Sequence, residues 1–246
     1  MSNPTAAMLV IGDEILSGRT RDANMYHLAG ELTNNGIALS EVRVVSDDRS
    51  AIISATRTLS ETYTYVFTSG GIGPTHDDIT ADCIAAAFGI PIDIRDDARA
   101  ILTKHYADTG LELNAARLRM ARIPEGAELI ENPVSAAPGF ILGNVFVMAG
   151  VPSVFQAMVA GVIHQLSGGR PLLSQTMRFM VGEGTIAEPL GALAADFPDL
   201  SIGSYPFQKD GVYGTNIVVR GSDGGLIDAA MIRLSNLLPE VTDDPE

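Results

Sequence analysis

The residues with the clearest chemical potential crowd into one stretch, Val66 to Thr80. It holds three glycines (Gly70, Gly71, Gly73), the hydroxyls of Ser69, Thr75 and Thr80, and two adjacent carboxylates, Asp77 and Asp78. An apolar run at 65–68 precedes the glycines and a helical pattern at 79–88 follows them. A strand, a glycine-rich turn and a helix together turn backbone N–H groups toward an anion and add the positive end of a helix dipole. The carboxylates complicate that picture, because they repel phosphate, and no Lys or Arg occurs from Thr58 through Ile94. A phosphate held here needs backbone amides plus a divalent cation on the carboxylates, as Mg²⁺ commonly binds through one or two carboxylates, phosphates and water. The loop lacks the Lys of a P-loop and the third glycine of a dinucleotide fingerprint. The alternative is structural: the glycines make a tight turn, and Asp77 or Asp78 caps a helix.

Other candidates lie at neighbouring strand ends. Gly12, Asp13 and Glu14 follow the apolar run 6–11, and Asp47 follows an extended segment at 37–45. Asp47 is either a site carboxylate or a helix cap, and Asp13 and Glu14 are either cluster members or solvated loop charges. Asn24 either meets a ligand or caps a helix. His76 sits inside the loop as a minor acid–base candidate, whereas His27, His105 and His164 fall on helical patterns.

These residues need a scaffold. Apolar strand-like runs at 6–11, 37–45 and 65–68 alternate with helical patterns at 22–35, around Ile52 to Leu59 and at 79–88. That alternation predicts βαβ units and a parallel sheet whose loops open on one edge, the usual ligand crevice of open α/β sheets. A helix capped by Asp96-Asp97 and running to about Asp108 follows, then a helical piece at 113–122. Residues 127–148 read as antiparallel, with Gly143-Asn144 as a two-residue hairpin turn. A helix over 153–166 with Ser153 as its cap closes this part. Ser167-Gly168-Gly169-Arg170-Pro171 reads as a linker. Beyond it a strand (176–181), a helix (185–196), two strands (200–206 and 215–220) and a helix (226–238) predict a small α+β domain. The expected organisation is a domain at 1–168, an accessory domain at 172–240 and an acidic, disordered tail at 241–246.

The 246 residues carry a formal net charge of −14 with only two lysines, Lys104 and Lys209. That balance argues against non-specific nucleic-acid binding, which depends on Lys and Arg neutralising phosphates. No run reaches the length of a membrane span, and residues 1–5 lack a charged and apolar signal region, so a cytoplasmic protein is expected. The lone Cys83 lies in an apolar helix and reads as a buried structural thiol.

The loop 70–80 resembles the signature of the MoaB/Mog molybdopterin-binding domain family. Its Pro74-Thr75 and doubled Asp are closer to the CinA-like (competence/damage-inducible protein A) branch. Gly12 to Gly18 with Asp22-Ala23-Asn24, Asn132 to Phe140, and Gly150-Val151-Pro152 resemble further motifs of that branch. The resemblance spans residues 6 to about 166, and residues 172–240 resemble more weakly the small domain that follows in such proteins. It implies a three-layer α/β domain with a mostly parallel sheet, followed by the small α+β domain.

It further implies metal-dependent hydrolysis of a nucleotide pyrophosphate such as ADP-ribose or FAD. Asp78 and Asp47 are then catalytic and, with Glu14, metal-binding through Mg²⁺ or Co²⁺. Gly12, Asn24, Ser69, Gly70, Gly71, Gly73, Thr75 and Thr80 contact substrate, and the chain forms homo-oligomers. A molybdopterin adenylyltransferase and a silent molybdopterin- or nucleotide-binding module are the rival expectations. Ala149 and Val154 stand where the family usually has Pro and Glu, and Ser135-Ala136 where it has Gly-Thr. The sequence stops before the amidase domain of full-length relatives, so nicotinamide-nucleotide deamidation is not expected.

Overall fold

The computed structural model describes residues 3–209 and 211–237, in two compact units divided in sequence between Gly169 and Arg170. The first unit is built on a six-stranded sheet in the order β2-β1-β3-β8-β7-β6. Strands β1 (Thr5–Ile11), β2 (Ala38–Val45), β3 (Tyr65–Ser69) and β8 (Val145–Met148) are parallel. Strands β7 (Gly139–Leu142) and β6 (Glu128–Ile130) extend the sheet in antiparallel fashion. A separate antiparallel pair joins β4 (Ile92–Ile94) to β5 (Arg122–Pro124).

Helices cover both faces. Helices α3 (Arg49–Thr62), α4 (Thr80–Phe88) and α5 (Asp96–Thr109) pack on one face, and α2 (Asn24–Asn34) and α7 (Pro152–Val162) on the other. The short helices α1 (Asp13–Leu16) and α6 (Ala115–Leu118) lie in connections. Strand β1 shows why its sequence is continuously apolar rather than alternating. Ala7, Leu9 and Ile11 enter the core under α3 and α4, while Ala6, Met8 and Val10 enter the core under α2 and α7. A strand buried on both faces has no polar side to display, and each fully buried Leu, Ile or Val contributes roughly 1.5–3 kcal/mol relative to exposure. Strand β8 repeats the pattern, with Val145 and Val147 on one side and Phe146 and Met148 on the other.

The second unit pairs β9 (Leu173–Phe179), β10 (Ser201–Lys209) and β11 (Val212–Gly221) in an antiparallel sheet of order β10-β11-β9. Helices α8 (Glu183–Asp196) and α9 (Gly224–Leu237) bury Ile186, Leu193, Ile227 and Leu234 against Phe179, Ile217 and Val219.

Several local expectations are corrected. Helix α7 begins with Pro152 after an extended Val151, so Ser153 lies inside the first turn and caps nothing; proline suits that position because its missing N–H has no partner to lose. Arg95, not Asp96 or Asp97, precedes α5, and Asp97 pairs with the Arg95 guanidinium. Asp13 and Glu14 begin a one-turn helix instead of a loop. Strands β10 and β11 run longer than expected because they form one hairpin. The acidic tail at 241–246 lies outside the described residues.

Candidate functional site

The parallel strands present their carboxyl ends, and the loops leaving them, on one sheet edge. Strand β1 leads to β2 on one side, while β3 lies on its other side. Open α/β sheets form their ligand crevice where strand order reverses in this way. A cleft of about 550 Å³ opens there, lined by the loops after β1, β2, β3 and β8 and by the 132–137 turn. That volume is in the range of small-molecule sites, roughly 300–1,000 Å³.

The loops are laced together. The Gly12 N–H donates to the Val45 carbonyl at 3.1 Å, and the Asp13 N–H donates to Asp47 Oδ2 at 2.9 Å. The Gly70 N–H reaches the Met148 carbonyl at 3.2 Å. Asn24, 3% exposed, sends its Nδ2 to Ser69 Oγ at 2.7 Å and to the Gly150 carbonyl at 2.8 Å. One side chain at the start of α2 therefore ties the end of β3 to the loop after β8.

The glycine loop is packed where a side chain cannot fit. Gly70 has φ +107°, and a Cβ there would sit 2.2 Å from the Ile11 carbonyl oxygen. Gly150 approaches the same residue so closely that its own Cβ would lie 3.2 Å from Gly70 Cα. Thr80 Oγ1 donates to the Gly70 carbonyl at 3.0 Å, and the Thr80 N–H donates to Gly71 at 3.0 Å, which folds the loop onto the start of α4. Asp78 accepts the Thr75 N–H at 2.7 Å and the Thr75 hydroxyl, closing a turn of four residues. Neither Asp77 nor Asp78 caps α4: the residue before the helix is Ile79. Among the described residues the amide N–H groups of Gly71, Ile72 and Gly73 enter no hydrogen bond. Three successive free donors on a cleft wall are what a phosphate oxygen requires.

The electrostatics of the cleft are one-sided. Glu14, Asp47, Asp77 and Asp78 line it, and among the described residues no Lys, Arg or His does. Burial pushes the Asp47 carboxyl above its ordinary range; the Asp13 N–H opposes that shift, and the neighbouring Asp13, Glu14 and Asp77 charges reinforce it. Asp48, and not Asp47, caps α3 through the Ala51 N–H at 2.9 Å, which leaves Asp47 for the cleft.

Gly12, Glu14, Asp47, Gly70, Gly71, Gly73 and Asp78 thus meet at one cleft. The side chains of Asn24, Ser69 and Thr80 are buried beneath it and bonded within the protein, while Thr75 is bonded to Asp78. His76 points to solvent with its side chain 98% exposed. Val154 lines the cleft and packs against the α2–α7 core, an apolar group at that wall.

Sequence reasoning missed Arg119, whose Nη2 donates to the Asp78 carbonyl at 3.3 Å. It lies 41 residues beyond Asp78 on a 3₁₀ turn, Arg119–Ala121, and no local pattern pointed to it. Arg122 is engaged elsewhere, with Asp82 at 2.6 Å.

Among the described residues no three His, Cys, Asp or Glu side chains converge as a closed metal site. The donor set nevertheless fits a hard divalent cation shared with substrate. Asp47 and Asp78 both line a cleft rich in negative charge, and such ions need only one or two carboxylates when phosphates and water complete the shell.

An open, mainly parallel sheet with a glycine loop and carboxylates at its switch point defines an α/β small-molecule-binding domain. The chain belongs to the family described as the probable molybdopterin binding domain, whose model matches residues 7–171. Residues 171–244 match the middle domain of FAD synthase, so a domain of that type, and not an amidase domain, follows the first. The crystal structure of CinA from Thermoplasma acidophilum, a protein of unknown function, superposes with a TM-score of 0.61 at 34% identity, covering 67% of this chain and 99% of that one. A protein of Archaeoglobus fulgidus is 33% identical over 200 residues, which make up 81% of this chain and 84% of the relative. A probable FAD synthase of Caenorhabditis elegans is 32% identical over 259 residues, covering 95% of this chain but 50% of the relative. A CinA-like protein of Myxococcus xanthus is 36% identical over 162 residues, 63% of this chain and 38% of that protein. No helix among the described residues is long and apolar enough to cross a membrane.

Proposed function

We propose that this protein hydrolyses the pyrophosphate bond of a nucleotide, with FAD or ADP-ribose as the substrate class, in a divalent-metal-dependent reaction. The observation that carries the reading is a cleft lined by four carboxylates and no cationic side chain, with three free amides on its glycine wall. The amides of Gly71, Ile72 and Gly73 hold one phosphate by hydrogen bonds aimed at developing oxyanion charge. Asp47, whose carboxyl is more basic than usual, orients the attacking water and takes its proton. The water oxygen bonds to one phosphorus, the bridging P–O bond breaks, and two monophosphates leave. Asp47 and Asp78, with Glu14 beside them, would hold Mg²⁺ or Co²⁺, which would supply positive charge to a cleft whose own lining carries none. Arg119 steadies the Asp78 backbone. The probable FAD synthase among the relatives, together with the match of residues 171–244, supports flavin nucleotides as the first candidates to assay.

The test is AMP release from FAD and ADP-ribose with Mg²⁺ or Co²⁺ and with chelator, for wild type and Asp78→Ala. Metal-dependent turnover that disappears in a folded Asp78→Ala protein is expected. Turnover that survives the substitution would refute the assignment. A second reading, a binding module for molybdopterin or nucleotide without turnover, is favoured by Val154, which puts an apolar side chain on the cleft wall. Tight binding with no product under any metal would select it, and pterin-dependent adenylate transfer would select the transferase. Self-association accompanies the proposal and is read by sedimentation.

A further inference from the structure

Helix α5 carries a second stripe that its role in the core does not explain. Ala98 and Leu102 face the core, whereas Ile101, Lys104, His105 and Asp108 recur at the spacing of a different helical face. That face lines a second pocket of about 460 Å³, completed by Leu129 and Glu131. Its lining combines apolar side chains such as Ile101, Leu129 and Pro138 with both signs of charge, Lys104 being offset by Asp108 and Glu131. Such a lining suits a neutral, flat, hydrogen-bonding group and not a phosphate.

The partition between this pocket and the catalytic cleft is one short turn. Asn132 lines both cavities, with Ala137 on the cleft side and Ala136 and Pro138 on the side of the second pocket. The turn is rigidly built. Asn132 Nδ2 donates to Ser135 Oγ at 2.7 Å and to the Ala137 carbonyl at 2.8 Å, and its Oδ1 accepts the Val134 and Ser135 N–H groups at 3.0 Å. Ala136 is held at φ 62°, a left-handed conformation that alanine adopts only under constraint.

We infer that the two cavities form one two-lobed site, in which the cleft takes the pyrophosphate with one nucleoside and the α5 pocket takes the base or flavin ring of the other. The inference rests on the reading of the cleft as a pyrophosphate site, and within that class it favours dinucleotides such as FAD over ADP-ribose, which has no second base. Residues Ile101 and Lys104 then set specificity without touching the reacting atoms.

The test uses the full chain, measuring calorimetric binding of FAD, FMN and AMP with chelator, where the proposed reaction is silent, and FAD hydrolysis with Mg²⁺. Ile101 is 40% exposed and Lys104 is exposed, so Ile101→Glu and Lys104→Ala leave the core intact. FAD should bind wild type at least tenfold more tightly than either half. Ile101→Glu should weaken FAD and one of its halves by tenfold or more, leave the other half unchanged, and raise KM while kcat stays within twofold. FAD affinity that moves less than twofold in both variants would overturn the inference, as would failure of all three probes to bind. The two readings separate cleanly. Absent turnover with this binding pattern intact sinks the hydrolase and keeps the two-lobed site, whereas turnover with unmoved affinity does the reverse.

Discussion

Gly70→Ala and Gly161→Ala make the same chemical change with opposite expected signs. At Gly70 the backbone lies at φ +107° and a Cβ would sit 2.2 Å from the Ile11 carbonyl oxygen, against the 3.0 Å that real contacts respect. The alanine cost of such a backbone is about 1–2 kcal/mol. Forcing the strand end and the loop apart to admit the methyl adds about 1–3 kcal/mol. A total near 3 kcal/mol in a unit of this size corresponds to a fall of roughly 6–12 °C in Tm. At Gly161, in the last turn of α7, a Cβ meets nothing within 4 Å and φ is ordinary, so alanine gains about 0.5 kcal/mol from helix propensity. Urea unfolding followed by circular dichroism measures both, with an unchanged m value showing that only stability moved. Nucleotide affinity should fall only in Gly70→Ala, because its loop carries the free amides. A Gly70→Ala protein within about 0.5 kcal/mol of wild type would refute the close-packed loop, since that margin is what an unremarkable surface change produces.

Asp47→Asn should raise Tm while turnover is lost. It keeps an acceptor for the Asp13 N–H and removes a charge that burial, Asp13, Glu14 and Asp77 disfavour. The gain is present at pH 7 and disappears below the carboxylate range, where Asp47 is itself protonated; a fall in Tm at pH 7 would contradict it. Burial pushes the Cys83 thiol up to about 11, so it should resist aromatic disulfide reagents at pH 8 until the protein unfolds. By the same shift the folded state loses stability as pH rises from about 9, the ordinary thiol value, toward about 11. Rapid labelling of native protein, or a stability flat over that window in comparison with Cys83→Ala, would place the thiol at the surface.

Much of the parallel sheet was legible because its strands are buried on both faces. Residues 6–11 and 145–148 are uninterrupted apolar runs for that reason. The glycine loop was legible because Gly70 and Gly71 occupy backbone states that favour glycine, and such positions punctuate a sequence visibly. What stayed hidden was non-local. Arg119 reaches the Asp78 carbonyl only through the tertiary fold, and Lys104 reads as an ordinary surface residue until the fold shows that it lines a pocket with Leu129, Glu131 and Pro138. The division of labour between Asp47 and Asp48 was equally hidden: either can cap a helix, and only geometry shows that Asp48 does. Ser153 misled because cap preference is statistical, whereas the ring of Pro152 fixes the first helical residue outright.

The strand order has a consequence for the nascent chain. Strand β3 pairs with β1 on one side but with β8 on the other. On the ribosome its second edge therefore stays bare until residues 145–148 emerge, about 80 residues later, which takes roughly 4–16 s at 5–20 residues per second. Through that interval the edge of an apolar strand rich in β-formers is open to the wrong partner, because helices α2, α3, α4 and α5 can cover its faces but none of them pairs its edge. Slowing synthesis between β3 and β8 should therefore lower the soluble yield, and the chain should depend on holdase chaperones during translation more than its finished fold would suggest.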